Sequence, residues 1–197
     1  MKDIINSEIH FFLQERNFNL KINDLERLNE LFFSQEISEN NNIDKKNEIV
    51  SLIKNNQWIN PTPSEFRDSL LKSKHPLMLT DYNESELNQM KLFKLKNYNI
   101  GFALKNHDGK PYSEIVAVHN NEPDVSGIGD ELMRSAIKNG GCYLDHFDSS
   151  KLSSLYSSMG FEEIGRDKYD PQYDPQGNFK SKYGTLDVIY RKHKNCS

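Results

Sequence analysis

The strongest constraint on this chain is one ordered segment near its middle. The apolar run Ile115-Val116-Ala117-Val118 leads through Asp124-Val125-Ser126-Gly127-Ile128-Gly129 into a stretch where Leu132, Met133, Ala136 and Ile137 share one helical face. A short apolar run reads as a buried strand, and apolar residues three and four apart read as a helix. A strand that passes through a glycine turn into a helix N-terminus aims several backbone N–H groups at one point. The positive end of the helix dipole adds to them, which suits a phosphate-like anion.

The elements around this segment alternate in period. Leu92, Phe93 and Leu95, then Ile100, Phe102 and Leu104, flank Lys96-Asn97-Tyr98-Asn99 and predict a hairpin; a polar loop spans Asn106–Pro111. Gly140-Gly141 closes the central helix, a strand follows over Cys142–Phe147, and a helix from about Ser150 to Met159 ends at Gly160. Further strands are predicted over Phe161–Arg166 and Leu186–Tyr190.

Residues 1–60 have a different character. Leu25, Leu28, Leu31 and Phe32, and later Ile49, Val50, Leu52 and Ile53, repeat at helical spacing, with a polar loop over Ser34–Asn42 between them. Thr62, Pro63 and Glu65 form a helix start of the T-x-x-E type, with the helix ending before Pro76. A second short helix falls in Asp81–Gln89, with Asn83 as its cap. The organisation read from this is a helical N-terminal region (1–60), connecting helices (61–90) and a core (91–197).

Composition excludes several classes. The formal net charge is −4, so the chain lacks the basic footprint that phosphate neutralisation in nucleic acids requires. No stretch approaches the roughly 18 apolar residues of a membrane span, and no signal-peptide run opens the chain. The two cysteines, Cys142 and Cys196, supply neither a disulfide framework nor zinc spacing, which points to a reducing cytoplasm and to no metal site.

The order Gly127-Ile128-Gly129, strand, Leu155-Tyr156-Ser157-Ser158-Met159-Gly160-Phe161 closely resembles the GNAT superfamily of acyl-coenzyme-A-dependent N-acyltransferases. There a Q/R-x-x-G-x-G/A loop opens the helix after the fourth strand, and an L-Y-x-x-x-G-F sequence ends the next helix. The resemblance covers Tyr112–Arg166 well and the hairpin loosely, within a core of about 76–191. It implies an α+β fold with a mixed, mostly antiparallel sheet flanked by helices. It also implies acetyl-CoA as co-substrate and an amine of a protein or small molecule as acceptor. Backbone amides of Val125, Ser126, Gly127, Ile128, Gly129 and Asp130 would cradle the diphosphate. Val118, on a strand splayed from Cys142–Phe147, would flank the pantetheine arm. Ser149 stands where the family often carries asparagine, and Tyr156 matches the tyrosine that protonates the leaving thiolate.

Amine acylation needs a base, acting directly or through water. Glu114 and His119, at the ends of the fourth strand, are candidates by position; Asp145, His146 and Asp148 are others. The structural reading of the latter group has His146 as a satisfied buried imidazole and Asp148 as a helix cap. The tail Arg191-Lys192-His193-Lys194 reads as solvated, and Tyr169–Pro175 as a rigid surface loop. Asp124 replaces the family's Gln or Arg, and Asp130 and Glu131 follow the glycines. These departures support an alternative function: a catalytically inactive GNAT-like protein that engages a protein partner through residues 1–60.

Overall fold

The computed structural model of the chain describes residues 41–73, 75–106 and 112–196, and Arg27 by itself. The helical reading of residues 1–40 and most of the loop after Asn106 lie outside the described residues. Contacts divide the chain between Asp44 and Lys45, and the unit described is Lys45–Ser197.

A seven-stranded sheet forms its centre: β1 (Trp58–Ile59), β2 (Lys91–Leu95), β3 (Ile100–Asn106), β4 (Ser113–Asn120), β5 (Gly141–Phe147), β6 (Phe161–Asp167) and β7 (Val188–His193). The spatial order is β1-β2-β3-β4-β5-β7-β6. Only β4 and β5 run parallel; every other neighbouring pair is antiparallel. The parallel pair follows from a helical crossover, which returns the chain in its original direction. This is the mixed, mostly antiparallel α+β sheet expected.

Among the described residues six α-helices accompany it: α1 (residues 41–54), α2 (Pro63–Leu71), α3 (Glu84–Leu87), α4 (Gly129–Lys138), α5 (Ser150–Ser158) and α6 (Asn178–Tyr183). Asn41 and Asn42, expected in a polar loop, are already helical. The caps of α2 and α3 are those their sequences encode. Thr62 Oγ1 accepts from the Glu65 N–H while the Glu65 carboxylate accepts from the Thr62 N–H, and Asn83 and Glu86 repeat the exchange.

Both sheet faces are covered. On one, Phe102, Leu104, Ile115 and Leu144 pack against Met133 and Ala136 of α4 and against Met159 and Phe161. On the same side Ile49 and Ile53 of α1 join Leu95, Ile100, Val125, Ile128 and Leu132. Residues 45–60, grouped by composition with the N-terminal region, therefore contribute to the core of this unit. On the other face Phe66 and Leu70 of α2 and Leu87 of α3 cover Leu92, Ala103 and Val116. Gly101 lies where this layer is tightest, since a Cβ there would collide with the Phe93 carbonyl oxygen and press on His119 and Phe66.

Four features depart from the sequence expectations. Strand β1 has only two residues and exists because Trp58 and Ile59 pair with Leu95 and Lys94; the Trp58 indole N–H donates to Ser135 Oγ at 2.9 Å. Helix α6 starts where the Asp174 carboxylate accepts the Phe179 and Lys180 N–H groups. The tail is not a solvated basic run: Arg191 and His193 are 6% and 7% exposed on β7. Arg191 donates to His146 Nε2, Ser157 Oγ and the Phe161 carbonyl. Finally, Cys142 and Cys196 form a disulfide, overturning the expectation of none, because β7 runs beside β5 and carries the C-terminus back to Cys142.

Two outcomes follow. Gly101→Ala is expected to lower unfolding stability in urea by about 1–3 kcal/mol, the cost of overpacking a filled layer. Cys196→Ser, or reduction, is expected to cost about 2–4 kcal/mol because the bridge closes a long loop, read as a fall in the thermal midpoint that reductant produces in the wild type only.

Candidate functional site

The site begins with one extra residue in β4. Gly101 pairs with His119 and Ala103 with Val116, so Phe102 alone faces both Ala117 and Val118. Ala117 takes φ 53°, the left-handed region that a non-glycine residue enters at a cost. Such a bulge bends its strand and resets the side-chain alternation beyond it. Val116 and Ala117 accordingly pack into the same cluster, and His119 is turned onto that face as well.

The bend has a second effect. Strands β4 and β5 pair only at Ser113↔Gly141 and Glu114↔Tyr143. Beyond that point β5 stays in register with β7 through Phe147, and β4 leaves it. A cleft of about 730 Å³ lies along the gap, with Val118, His119, Val125, Ser126, Ser149 and Tyr156 among its lining residues. The parting of two strands expected from the resemblance is thus present.

Other predicted site residues sit apart from the lining. Glu114 is at the closed end, where the strands still pair with each other. Gly127, Gly129 and Asp130 lie at the start of α4, while the Ile128 side chain is 1% exposed in the core, leaving only its backbone for a ligand. No side chain caps α4, and its first turn carries Asp130 and Glu131. The loop before it is held by Asn120 Nδ2, which donates to the Val125 carbonyl at 2.9 Å, and turns through Asp124 and Gly127 at φ 61° and 69°.

Tyr156 packs its ring against His146 at 4.9 Å and Phe161 at 6.1 Å between centroids. Burial, with the Asp145 charge adding to it, pushes its phenol up to about 12, so it holds its proton across the neutral range. Ser149 Oγ accepts from the Leu152 N–H and caps α5, the place expected for Asp148. Asp148 instead pairs with Arg166 and accepts from Ser153 Oγ.

The two histidines are fixed by their partners. His119 Nδ1 lies 2.9 Å from the Ala117 carbonyl and so carries a proton, leaving Nε2 to accept from Ser69 Oγ at 2.9 Å. Burial lowers the ring to about 4. His146 donates from Nδ1 to the Phe147 carbonyl and accepts the Arg191 Nε–H at Nε2. Both ring nitrogens are in use, one as donor and one as acceptor, the satisfied state that the structural reading assigned to His146.

Sequence reasoning passed over the wall that faces these residues. The segment after α2 contributes Leu79, Thr80 and Tyr82, and Tyr183 of α6 joins them. Asp145 opens into the cleft, and the surrounding walls strip part of its hydration and raise its carboxyl. Burial likewise raises Tyr82, with the charges of Glu114 and Asp145 adding to the effect. Asp145 was already a candidate base by its position on β5; residues 75–82 carry no periodic pattern. Among the described residues no group of three His, Cys, Asp or Glu is placed to hold a metal ion, and no helix is long and apolar enough to cross a membrane.

No protein-family model and no curated protein matches the chain. Two solved structures are similar to it. One is a GNAT family acetyltransferase from Elizabethkingia anophelis with acetyl-CoA bound, 23% identical, with a TM-score of 0.40 over 61% of this chain and 82% of that one. The other is a ribosomal-protein-alanine N-acetyltransferase from Brucella melitensis, 18% identical, with a TM-score of 0.42 over 68% of this chain and 96% of that one.

The buried His119 makes stability pH-dependent. The folded ring stays neutral down to about 4, while an unfolded histidine protonates near 6.5. Between these values the unfolded chain holds the extra proton, so stability falls as pH drops from 6.5 towards 4. The loss is roughly 3 kcal/mol from this group. Urea unfolding of wild type and His119→Gln at pH 7 and pH 4 should differ in pH sensitivity by about that amount.

Proposed function

We propose that this chain transfers an acetyl group from acetyl-CoA to an amine of a small molecule or protein. The observation that carries this reading is the cleft opened where β4 leaves β5, with Tyr156 on one wall and the glycine loop at its edge. The residues fit the co-substrate in three respects. Ser126 and Gly127 of the loop are exposed, the α4 N-terminus has no side-chain cap, and Val118 lines a gap open to an extended arm.

Acetyl-CoA supplies a thioester whose C–S bond breaks as the amine nitrogen bonds to its carbonyl carbon. Tyr156 donates its phenolic proton to the departing sulfur; both groups are desolvated, which raises the thiolate's proton affinity along with the phenol's. A carboxylate takes the ammonium proton through water. Of the predicted bases, Glu114 fits this role better than His119, whose Nε2 already accepts from Ser69 and whose basicity burial suppresses. Asp145 joins Glu114 as a candidate because it opens into the cleft and its carboxyl is raised. His119 then acts as a positioning residue that holds β4 against α2. The Asp145 carboxylate in the lining also favours a cationic acceptor.

A cytoplasmic setting belongs to this reading, although the Cys142–Cys196 disulfide does not support it. The alternative, a non-catalytic scaffold using residues 1–60, draws support from Asp124, Asp130 and Glu131 around the loop.

Calorimetry with acetyl-CoA and thiol release with a panel of amines test both. Tyr156→Phe is expected to lower kcat by about 100-fold or more with little change in KM for acetyl-CoA, the pattern of a lost acid. Wild-type protein that gives neither heat nor thiol release at millimolar acetyl-CoA would favour the scaffold.

A further inference from the structure

We infer that Lys46, on α1, is the cationic ligand for the diphosphate of the acyl-CoA co-substrate. The inference rests on the acyltransferase reading and deepens it by naming where the positive charge comes from. The loop itself supplies none, since Asp124 precedes the glycines and Asp130 and Glu131 follow them. Backbone amides and a helix dipole alone would have to overcome three nearby carboxylates.

Helix α1 reverses that balance. Ile49 and Ile53 are fully or nearly fully buried and pack with Val125, Ile128 and Leu132, so α1 is fastened to the loop and to the first turns of α4. Three lysines of α1 then act on the loop. Lys45 pairs with Glu122 at 2.9 Å, and Lys54 pairs with Glu131 at 3.5 Å, which offsets two acids that flank the loop. Lys46 has no ion-pair partner among the described residues. Its Nζ lies 3.2 Å from the position that a Cβ on Gly127 would take.

The glycine therefore has two uses. Its φ of 69° turns the loop, and its missing side chain admits the ammonium to the loop backbone. A lysine in that place forms a charge-assisted contact with a phosphate oxygen as a point charge, without a fork geometry to satisfy. Lys46 is itself half-buried on α1, which limits the freedom lost on binding.

The test compares acetyl-CoA with S-acetylpantetheine, which has the thioester arm but no diphosphate, by calorimetry at low and high salt. Wild type is expected to bind acetyl-CoA more tightly. Lys46→Gln should weaken acetyl-CoA by about tenfold or more, the scale of a lost charged hydrogen bond. It should leave S-acetylpantetheine unchanged and flatten the salt dependence, while Lys46→Arg retains most of the affinity. An unchanged thermal midpoint and unchanged S-acetylpantetheine binding establish that the variants fold. Equal acetyl-CoA affinity for wild type and Lys46→Gln overturns the inference and leaves the acyltransferase reading standing. Equal affinity of wild type for both ligands does the same. Wild type that binds neither ligand overturns the acyltransferase reading, and this inference falls with it.

Discussion

A single extra residue in β4 sets much of this molecule. With Phe102 facing two residues instead of one, the strand bends where Ala117 enters the left-handed region, and its pairing with β5 stops after Glu114. The unpaired backbone beyond that point has to be met by something other than a strand, because exposed N–H and C=O groups along a parting edge remain open to a partner. The same bend turns His119 inward against Phe66 and Ser69. Cleft and buried histidine are two results of one backbone irregularity.

Charge in the cleft is divided by region. Asp145 opens into the cleft, and burial raises the phenols of Tyr82 and Tyr156, with the Asp145 charge adding to it. At the rim, α1 answers Glu122 and Glu131 with Lys45 and Lys54. Arg191 is buried against His146 and Ser157; burial lowers that imidazole, and the Arg191 charge adds to the effect. Of its three hydrogen bonds the one to Ser157 Oγ ties α5 to β7; no carboxylate pairs with it among the described residues.

Local signals were readable where the physics is local. The caps of α2 and α3, the hairpin around Asn97 and the α4 and α5 helices depend on neighbours within a turn or two, and they appear within a few residues of their expected places. Elements whose stability comes from distant partners were not readable. Strand β1 requires β2, and α6 requires the Asp174 carboxylate four residues ahead of its first turn. Arg191 and His193 look like a hydrophilic tail in sequence, yet the register of β7 points them at Ser157 and Met159. For the site, the glycine loop and Tyr156 could be picked out by pattern, whereas residues 75–82 and Lys46 could not, since they reach the cleft and its rim only through packing.

From sequence alone, this chain determined its local grammar: a strand, a glycine turn, a helix, a strand and a helix ending in Gly160, and with that order the α+β class. Those elements follow from periodicity, capping and glycine conformation, which act over a few residues. Only the tertiary structure decided where the sheet opens, what the histidine nitrogens bond to, that Cys142 meets Cys196, and which lysine stands over Gly127. Each of these depends on register and on side chains far apart in the chain. A one-residue shift in pairing reverses which side chains face each other, and no short-range pattern reports that shift.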